Sequence, residues 1–249
     1  MGSDIPVFIN TRDRVSPLRK LVSWLERAGT QRIVIVDNAS TYPPLLDYLE
    51  RSPHAVVRLK DNLGQTAPWR SNVIHYFVGT DEPYVETDPD VVPDENCPLD
   101  AIDHFAELLE RYPEVDKVGF GLRIDDLSPR YKHAEAVRRW EQAFWRDEVE
   151  PGVFRAPIDT TFALYRPRRL LSMEPALRTG APYLARHVPW YANSARPSRE
   201  QRYYLDHAIS GINNWDDERI SDGVAQAVGL LGEVSHGVKS RLFRRDTRR

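Results

Sequence analysis

A run of four apolar, β-branched residues, Ile33 to Val36, stands directly before Asp37. A strand with one face in water alternates apolar and polar residues, whereas this run needs apolar cover on both faces. Strands of this kind occur in parallel sheets that carry helices on both sides. The run therefore predicts an interior strand of an α/β fold.

The pattern around this strand supports the same fold class, because short apolar strands alternate with helical patterns. Ser16 is expected to cap the first helix, with Pro17 at its first position and Gly29 at its end. The prediction is a single α/β domain with a doubly wound, mostly parallel sheet flanked by helices. Strands are predicted at 5–10, 32–36, 55–59, 83–87, 117–122 and 159–165, and helices at 16–29, 44–50, 65–77, 99–112 and 133–145.

Composition excludes several classes of protein. The chain has 249 residues, with 34 Lys plus Arg against 37 Asp plus Glu, so it lacks the basic excess of a general nucleic-acid binder. Its single cysteine, Cys97, excludes an internal disulfide framework and a Cys-based zinc site. No apolar run approaches the roughly 20 residues that span a bilayer, and the N-terminus has no signal pattern. We therefore expect a cytoplasmic protein.

Polar side chains follow each of the first four predicted strands. In open α/β sheets, ligands bind outside the carboxyl ends of the strands, so these side chains are expected to share one site. Two basic groups, an isolated carboxylate and a carboxylate pair suit a nucleoside diphosphate with a metal ion. The strand-end residues are Thr11, Arg12, Asp13 and Arg14, then Asp37 and Asn38, then Asp61, Asn62 and Gly64, then Asp88 and Asp90.

The segment Asp88-Pro89-Asp90 places two carboxylates two residues apart, where an extended chain points them to the same side. Such carboxylates repel each other, and their pKa values rise unless a cation neutralises them. Mg²⁺ or Mn²⁺ does this well, because both prefer oxygen ligands and phosphate oxygens. A plain turn is the alternative, since Asp and Pro are common in turns.

Four segments in this order resemble the GT-A fold glycosyltransferases, especially family 2. They are Pro6 to Arg12, Ile33 to Thr41 (IVIVDNAST), Asn62 to Gly64, and Glu86 to Asp90 with its DxD motif; together they span about residues 5–125. The resemblance implies a GT-A-like, mixed but mostly parallel sheet. It also implies that Asp37 binds the nucleotide of a sugar donor and that Asp88 and Asp90 bind a metal ion.

The second half matches the family through two segments. Ala156 to Thr161 (APIDTT) resembles the segment that carries the general base, which would be Asp159, with Ile158 where the family commonly has Glu. Arg186 to Tyr191 (RHVPWY) resembles the segment of a later metal-binding histidine, which would be His187.

The function implied by the resemblance is metal-dependent transfer of a sugar from a nucleoside diphosphate sugar to an acceptor hydroxyl. Inversion at the anomeric carbon is the expected outcome, and retention is the alternative. The metal would be Mn²⁺ or Mg²⁺, and a UDP-sugar is favoured as donor. The acceptor would be a glycan, a lipid-linked sugar or a small molecule, contacted by Trp190 and Tyr191 in a Pro-flanked loop. The expected donor-binding residues are Thr11, Arg12, Asp37, Asn38, Asn62, Gly64, Arg70 and Asp88.

The chain is predicted to divide into a donor-binding half at residues 1–125 and an acceptor-binding, catalytic half at 126–238 of the same domain. Residues 239–249 form a basic tail with six Lys or Arg. This tail suits contact with an anionic membrane surface at the inner face of the membrane, or it is a solvated charged end. Asn214 and Trp215 receive no role.

Each downstream candidate also has a purely structural interpretation. Asp159 can pin its own loop, and His187 can be a buried, hydrogen-bonded histidine. Arg70 can be an ordinary surface arginine. The aromatic residues of the predicted helix at 133–145 fit core packing better than sugar stacking.

Three rival functions stay open. A haloacid-dehalogenase-like phosphatase would use Asp88 as nucleophile with Asp90 beside it, and would need Lys117 and Asp125-Asp126 in its other roles. A nucleotidyltransferase would want a glycine-rich phosphate loop after the first strand, where this chain has no glycine. A non-catalytic domain would bind a sugar nucleotide or glycan and transfer nothing.

Overall fold

A computed structural model describes residues 4–79, 81–169 and 171–208. The strands are β1 (Val7–Thr11), β2 (Ile33–Asp37), β3 (Ala55–Arg58), β4 (Tyr84–Thr87), β5 (Val91–Pro93), β6 (Lys117–Leu122), β7 (Glu148–Glu150), β8 (Val153–Arg155), β9 (Ala163–Tyr165) and β10 (Ala176–His187). The helices are α1 (Ser16–Arg27), α2 (Pro43–Glu50), α3 (Ala67–Arg70), α4 (Val73–Phe77), α5 (Ala101–Arg111), α6 (Ala134–Glu141) and α7 (Arg199–Asp206). Single 3₁₀ turns lie at Gly64–Thr66, Gln142–Trp145 and Val188–Tyr191.

The described strands form one mixed sheet in the order β3-β2-β1-β4-β9-β6-β10-β8-β7, with β5 paired to β10. The first four strands of this order are parallel to one another. Strand β9 runs antiparallel between β4 and β6, and β10 is parallel to β6. Across the described residues, β5, β8 and β9 are the strands that oppose the common direction. The predicted fold class, a single α/β domain with a mostly parallel sheet flanked by helices, is confirmed.

Strand β2 has the two buried faces that its apolar run predicts. Ile33 and Ile35 pack in one hydrophobic cluster, and Val34 and Val36 pack in the other. The first cluster contains the apolar sides of α1 and α5, whereas the second contains residues of α4. Because successive side chains of a strand point to opposite faces, helices on both sides of the sheet are needed to bury all four.

The second half of the chain is built into the same sheet. Strand β9 inserts between β4 and β6, and β10 extends the sheet beyond β6. The 12-residue strand β10 shifts register against β6 between Thr179 and Leu184. The intervening Gly180-Ala181-Pro182 segment interrupts the strand pattern in the sequence, which is why the sequence does not predict β10.

Two helix predictions differ from the structure. Ser16 is the first residue of α1, and no side chain caps this helix from Val15. Instead, the backbone N–H and the hydroxyl of Ser16 donate to the carboxylate of Glu200 in α7, with the hydroxyl 2.5 Å from Oε2. The helix predicted over 65–77 is broken into α3 and α4 at Asn72, whose φ is +59°. At the start of α1, a long-range contact with Glu200 thus takes the place of the predicted cap. At Asn72, a left-handed backbone conformation interrupts the predicted continuous helix.

Within the three described ranges, no helix is long and apolar enough to cross a membrane. The basic tail at 239–249, Asn214 and Trp215 lie outside the described residues.

Gly119 in β6 marks a close approach of two backbones, and its replacement by alanine should destabilise the fold. An added Cβ would lie 2.3 Å from the carbonyl oxygen of Phe162, next to β9. Overpacking of this kind costs about 1–3 kcal/mol or more of unfolding free energy. Urea denaturation of Gly119→Ala measures the loss. Gly79→Ala is the control, because its Cβ would meet nothing within 4 Å; equal stability of the two variants would contradict the close approach.

Candidate active site

The carboxyl ends of β1, β2 and β4 meet at one edge of the sheet, because these strands are parallel and in register. Thr11 pairs with Asp37, and Ile9 pairs with Thr87, the last residue of β4. Asp88 therefore follows β4 at the edge where β1 and β2 also end. The residues that the sequence places after separate strands are thus neighbours at this edge.

Asp88 is joined to the segment that carries Asp159 by a pair of hydrogen bonds. The backbone N–H of Asp88 donates to the carbonyl of Thr160 at 3.1 Å, and the Thr160 hydroxyl donates to Asp88 Oδ2 at 2.8 Å. The Asp159 side chain is exposed, and its Oδ1 accepts the N–H of Thr161 at 3.2 Å. The structure thus brings Asp159, from the second half of the chain, to the acidic motif of the first half.

Negative charge accumulates at this point. Burial raises the pKa of Asp88 well above its usual range, and the charge of Asp90 raises it further. Asp159 acts in the same direction, whereas the Thr160 hydrogen bond and Arg14 lower the pKa. Carboxylates in this arrangement favour the approach of a cation, which stabilises their charged forms.

Asp90 lies between a guanidinium and an imidazole. Its Oδ2 is 3.4 Å from Nε of Arg14, and its Oδ1 is 3.7 Å from Nε2 of His187. The His187 ring packs against Trp190 at a tilt of 49°, with 4.6 Å between ring centroids. The three predicted metal ligands, Asp88, Asp90 and His187, therefore belong to one neighbourhood.

In the part of the chain that the structure describes, no three His, Cys, Asp or Glu side chains group closely enough to hold a metal ion by themselves. Mg²⁺ at phosphate-handling sites is commonly bound by one or two carboxylates, with waters and substrate phosphates as the remaining ligands. Two carboxylates with an imidazole nearby fit such an incomplete site in their chemistry.

Asp37 and Asn38 brace the loops around the edge. Asp37 is only 1 % exposed; its Oδ1 accepts the N–H of Ser40 at 3.0 Å and its Oδ2 is 3.2 Å from Nε of Arg58. The side chain of Asn38 accepts the N–H of Leu63 at 2.7 Å and donates to the carbonyl of Gly64 at 2.9 Å. Both predicted nucleotide ligands thus lie at the edge with their polar atoms already bonded to protein.

The loop after β3 is shaped by the other predicted donor residues. Asn62 Oδ1 accepts the N–H of Gly64 at 2.9 Å, and Gly64 has a φ of +75°, a conformation that favours glycine. The exposed Arg70 donates to the carbonyl of Leu63 at 2.9 Å. Asn38 binds this same loop, so the Asn62–Gly64 segment and the turn after β2 are held together.

Arg12 and Thr11 lie inward of the edge. Nη1 of Arg12 donates to the carbonyls of Asn38 and Ala39 at 2.9 and 2.8 Å. Thr11 is fully buried, and its hydroxyl is 3.5 Å from the carbonyl of Arg14. These bonds give Arg12 a bracing role in the turn after β2, while its contact with phosphate stays a prediction.

The two predicted acceptor-binding aromatics differ in exposure. Trp190 is only 2 % exposed and belongs to the hydrophobic core. Tyr191 is half-buried; its hydroxyl lies 2.9 Å from both the carbonyl of Arg123 and Oδ1 of Asp126, and Arg186 lies over its ring. Any aromatic surface for an acceptor in this turn therefore has to come from Tyr191.

Two buried cationic side chains, those of Lys117 and Arg178, donate hydrogen bonds to the backbone of the segment before Thr160. Lys117 is fully buried and donates to the carbonyl of Asp159 at 3.2 Å and to the hydroxyl of Tyr165 at 3.0 Å. Arg178, 5 % exposed, donates to the carbonyl of Pro157 at 2.8 Å. The backbone on either side of Ile158 is thus fixed by ionic side chains from β6 and β10.

Each buried cation has a buried carboxylate near it. Glu141 accepts from Nη1 of Arg178 at 2.8 Å, and burial raises the pKa of Glu141 to about 7. Glu86 is fully buried, and both carboxylate oxygens lack a hydrogen-bond partner among the described residues. Burial raises its pKa well above the usual range, Asp88 adds to this, and Lys117 opposes it. Burial lowers the pKa of Lys117 to about 8.

Sequence reasoning names Lys117 only for the phosphatase rival, and it does not identify Glu141 or Arg178 as parts of the site. The sequence does contain a signal for two of these residues, because each is a charged residue within an apolar segment. Lys117 is the first residue of a buried strand, and Glu141 lies in the aromatic run WEQAFW. Buried ionisable groups are costly and concentrate at functional sites, so such positions are candidates for function.

Comparison with known proteins gives a limited result. No known family matches the chain, and no curated protein matches it. Among solved structures, HddC from Yersinia pseudotuberculosis is 14 % identical with a TM-score of 0.33, over 47 % of this chain and 58 % of that one. An apo UDP-glucose pyrophosphorylase is 11 % identical with a TM-score of 0.41, over 66 % of this chain and 77 % of that one. The fold class therefore rests on the sheet topology described above and not on these structures.

Glu141 should make stability depend on pH between 4.5 and 7. Its pKa is about 7 in the fold and 4.5 in a free side chain, so the folded state holds the proton more tightly. Stability from this group is present below pH 4.5 and is lost as the pH rises to 7. Urea unfolding of wild type and Glu141→Gln across this range should show wild type losing up to about 3 kcal/mol relative to the variant. Parallel curves would contradict the raised pKa.

Proposed function

We propose that this chain transfers a sugar from a nucleoside diphosphate sugar to an acceptor hydroxyl at the Asp88–Asp90–Asp159 edge. The observation that carries the proposal is the hydrogen-bonded pair between Asp88 and Thr160. It places an exposed carboxylate, Asp159, beside a carboxylate pair at the carboxyl ends of parallel strands. Sugar transfer needs both groups in one place, a base for the acceptor and a charge-handling site for the leaving diphosphate.

The donor is proposed to lie across the ends of β1, β2 and β4. The expected contacts are those of the strand-end residues: Thr11, Arg12, Asp37, Asn38, Asn62, Gly64, Arg70 and Asp88. Residues 1–125 thus serve the donor, and residues 126–238 serve the acceptor and the chemistry. Because Asn38 binds the Asn62–Gly64 loop, the proposed donor contacts from two strand ends are held in a fixed relative position.

A divalent cation, Mn²⁺ or Mg²⁺, is proposed to bind at Asp88 and Asp90 with His187 nearby. A bound cation supplies positive charge against the departing diphosphate. The protein contributes the carboxylates, the imidazole and their fixed position at the strand ends.

Asp159 is proposed as the general base. Its carboxylate accepts the proton of the acceptor hydroxyl while that oxygen attacks the anomeric carbon of the sugar. The bond from the anomeric carbon to the diphosphate oxygen breaks, and the nucleoside diphosphate leaves with that electron pair. Attack from the face opposite the diphosphate inverts the anomeric centre. Lys117 and Arg178 hold the backbone of Asp159 and Pro157, which fixes where the base stands.

A phosphatase of the haloacid-dehalogenase type fits the geometry less well. It would use Asp88 as a nucleophile, yet burial and neighbouring carboxylates raise the pKa of Asp88, and Thr160 donates to its Oδ2. Asp125 and Asp126 pair with Arg123. Release of inorganic phosphate from a sugar phosphate, without nucleotide binding, would favour this rival.

Nucleotide binding should depend on a divalent cation. Thermal unfolding of the full chain with UDP, GDP, dTDP and CDP, each with and without Mn²⁺, should show stabilisation by one nucleotide that requires Mn²⁺. Asp88→Asn and Asp90→Asn should lose this shift, whereas Asp47→Asn, in an exposed ion pair on α2, should keep it. No shift with any nucleotide would contradict the proposal.

Asp159→Asn should separate binding from chemistry. The variant should keep the nucleotide-induced stabilisation of wild type, because Asp159 is proposed to touch the acceptor rather than the nucleotide. The panel identifies the nucleotide, and sugar nucleotides that carry it are then assayed with water or a sugar as acceptor. Release of the nucleoside diphosphate should be about 10²- to 10⁴-fold slower in the variant than in wild type. Wild-type turnover by the variant would exclude Asp159 as the base.

A further inference from the structure

Arg14 lies in the loop between β1 and α1 and faces the acidic edge. Its Nε is 3.4 Å from Asp90 Oδ2, and its Nη1 donates to Gln201 Oε1 at 2.8 Å. The guanidinium carbon lies 3.9 Å from the centroid of the Tyr204 ring. The residue is 9 % exposed, so its charge is held in a mostly protein environment.

The other arginines of this edge are bonded elsewhere. Arg12 donates to backbone carbonyls of the turn after β2. Arg58 pairs with Asp37, and Arg70 donates to the carbonyl of Leu63. Arg14, in contrast, pairs with a member of the Asp88–Asp90 motif itself.

Helix α7 fixes the position of Arg14 by docking on both neighbouring loops. The Glu200 carboxylate accepts the N–H and hydroxyl of Ser16, two residues after Arg14. The Tyr203 hydroxyl donates to the carbonyl of Thr41 at 3.0 Å, and its ring lies 4.8 Å from that of Tyr42. Helix α7 therefore covers the loops after β1 and β2, where the donor is proposed to bind.

We propose that Arg14, presented by α7, binds the diphosphate of the donor beside Asp88 and Asp90. This inference rests on the proposed function and gives a ligand-binding role to Arg14, a strand-end residue that is not among the expected donor-binding residues. A diphosphate approaching several carboxylates needs positive charge, and a guanidinium binds phosphate oxygens through two parallel N–H bonds. The 3.4 Å contact with Asp90 is longer than the roughly 2.7–2.9 Å of a charged hydrogen bond, so phosphate oxygens can replace this partner.

The site then includes the last described helix. Gln201 and Tyr204 contact the guanidinium in addition to Asp90, so they would keep it in place when Asp90 binds a cation instead. Replacing these α7 residues should therefore weaken diphosphate binding even though neither is proposed to contact the ligand.

The test is isothermal titration of the full chain with inorganic pyrophosphate and with UDP, GDP, dTDP and CDP, all with Mn²⁺. Arg14→Gln should bind the wild-type ligands about tenfold to a hundredfold more weakly, because hydrogen bonds to a charged group are lost. Arg14→Lys keeps the charge but not the paired N–H groups, so its loss should be smaller. The matched control is Arg32→Gln, which removes an arginine paired with Glu82 near the opposite end of β2; it should bind as wild type does.

The outcomes separate this inference from the proposed function. Unchanged affinity in Arg14→Gln, with wild type binding a nucleotide, overturns the role of Arg14 and leaves the proposed function standing. Pyrophosphate binding that depends on Arg14, without any nucleotide binding, supports the inference and contradicts the donor. If Arg14→Gln does not fold, Arg14→Lys and Gln201→Ala decide: wild-type affinity in both overturns the proposal, and weakened affinity in both supports it.

Discussion

The reciprocal pair of hydrogen bonds between Asp88 and Thr160 is the contact on which the proposed site depends. The parallel strands alone bring together the residues that follow β1, β2 and β4. The antiparallel strand β9 brings the second half of the chain to that edge, because it enters the sheet between β4 and β6. The segment leading into β9 then crosses the end of β4, and Thr160 meets Asp88. The proposed base and the proposed leaving-group site become neighbours through one strand insertion and two hydrogen bonds.

This arrangement concentrates charge that the interior must accommodate. Lys117 and Arg178 lie beneath the Asp159 segment, each with a buried carboxylate near it. Replacing buried ion pairs with apolar residues often leaves stability unchanged or improved, so stability is a weak reason for their presence. Their bonds go to carbonyls on either side of Ile158, which suggests that their value lies in orienting this loop.

Much of the first half could be predicted from sequence, because its signals are local. The apolar run of β2 specifies an interior strand. The helical spacing of apolar residues in α1 and α5 specifies the helices that pack on one face of the sheet. The strand-end residues follow from topology, since parallel strands end at the same edge. The second half could not be predicted in the same way, because its signals are not local. Strand β10 contains Gly180 and Pro182, so its twelve residues are held in the sheet by pairing with neighbouring strands rather than by the strand propensity of their own sequence. The roles of Lys117 and Arg178 beneath the Asp159 segment could not be predicted, because their partners are distant backbone carbonyls that no sequence pattern records.

The capping of α1 by Glu200 has a consequence for biosynthesis. The first turn of α1 is completed by a side chain that leaves the ribosome 184 residues later than Ser16. The parallel strands β1 to β3 can pair as soon as they emerge, since their partners are close in sequence. The loop that carries Arg14, however, lacks its final contacts until residue 206 is available. Nascent chains therefore pass through a state in which the sheet is nearly complete but the loops after β1 and β2 still lack their contacts with α7.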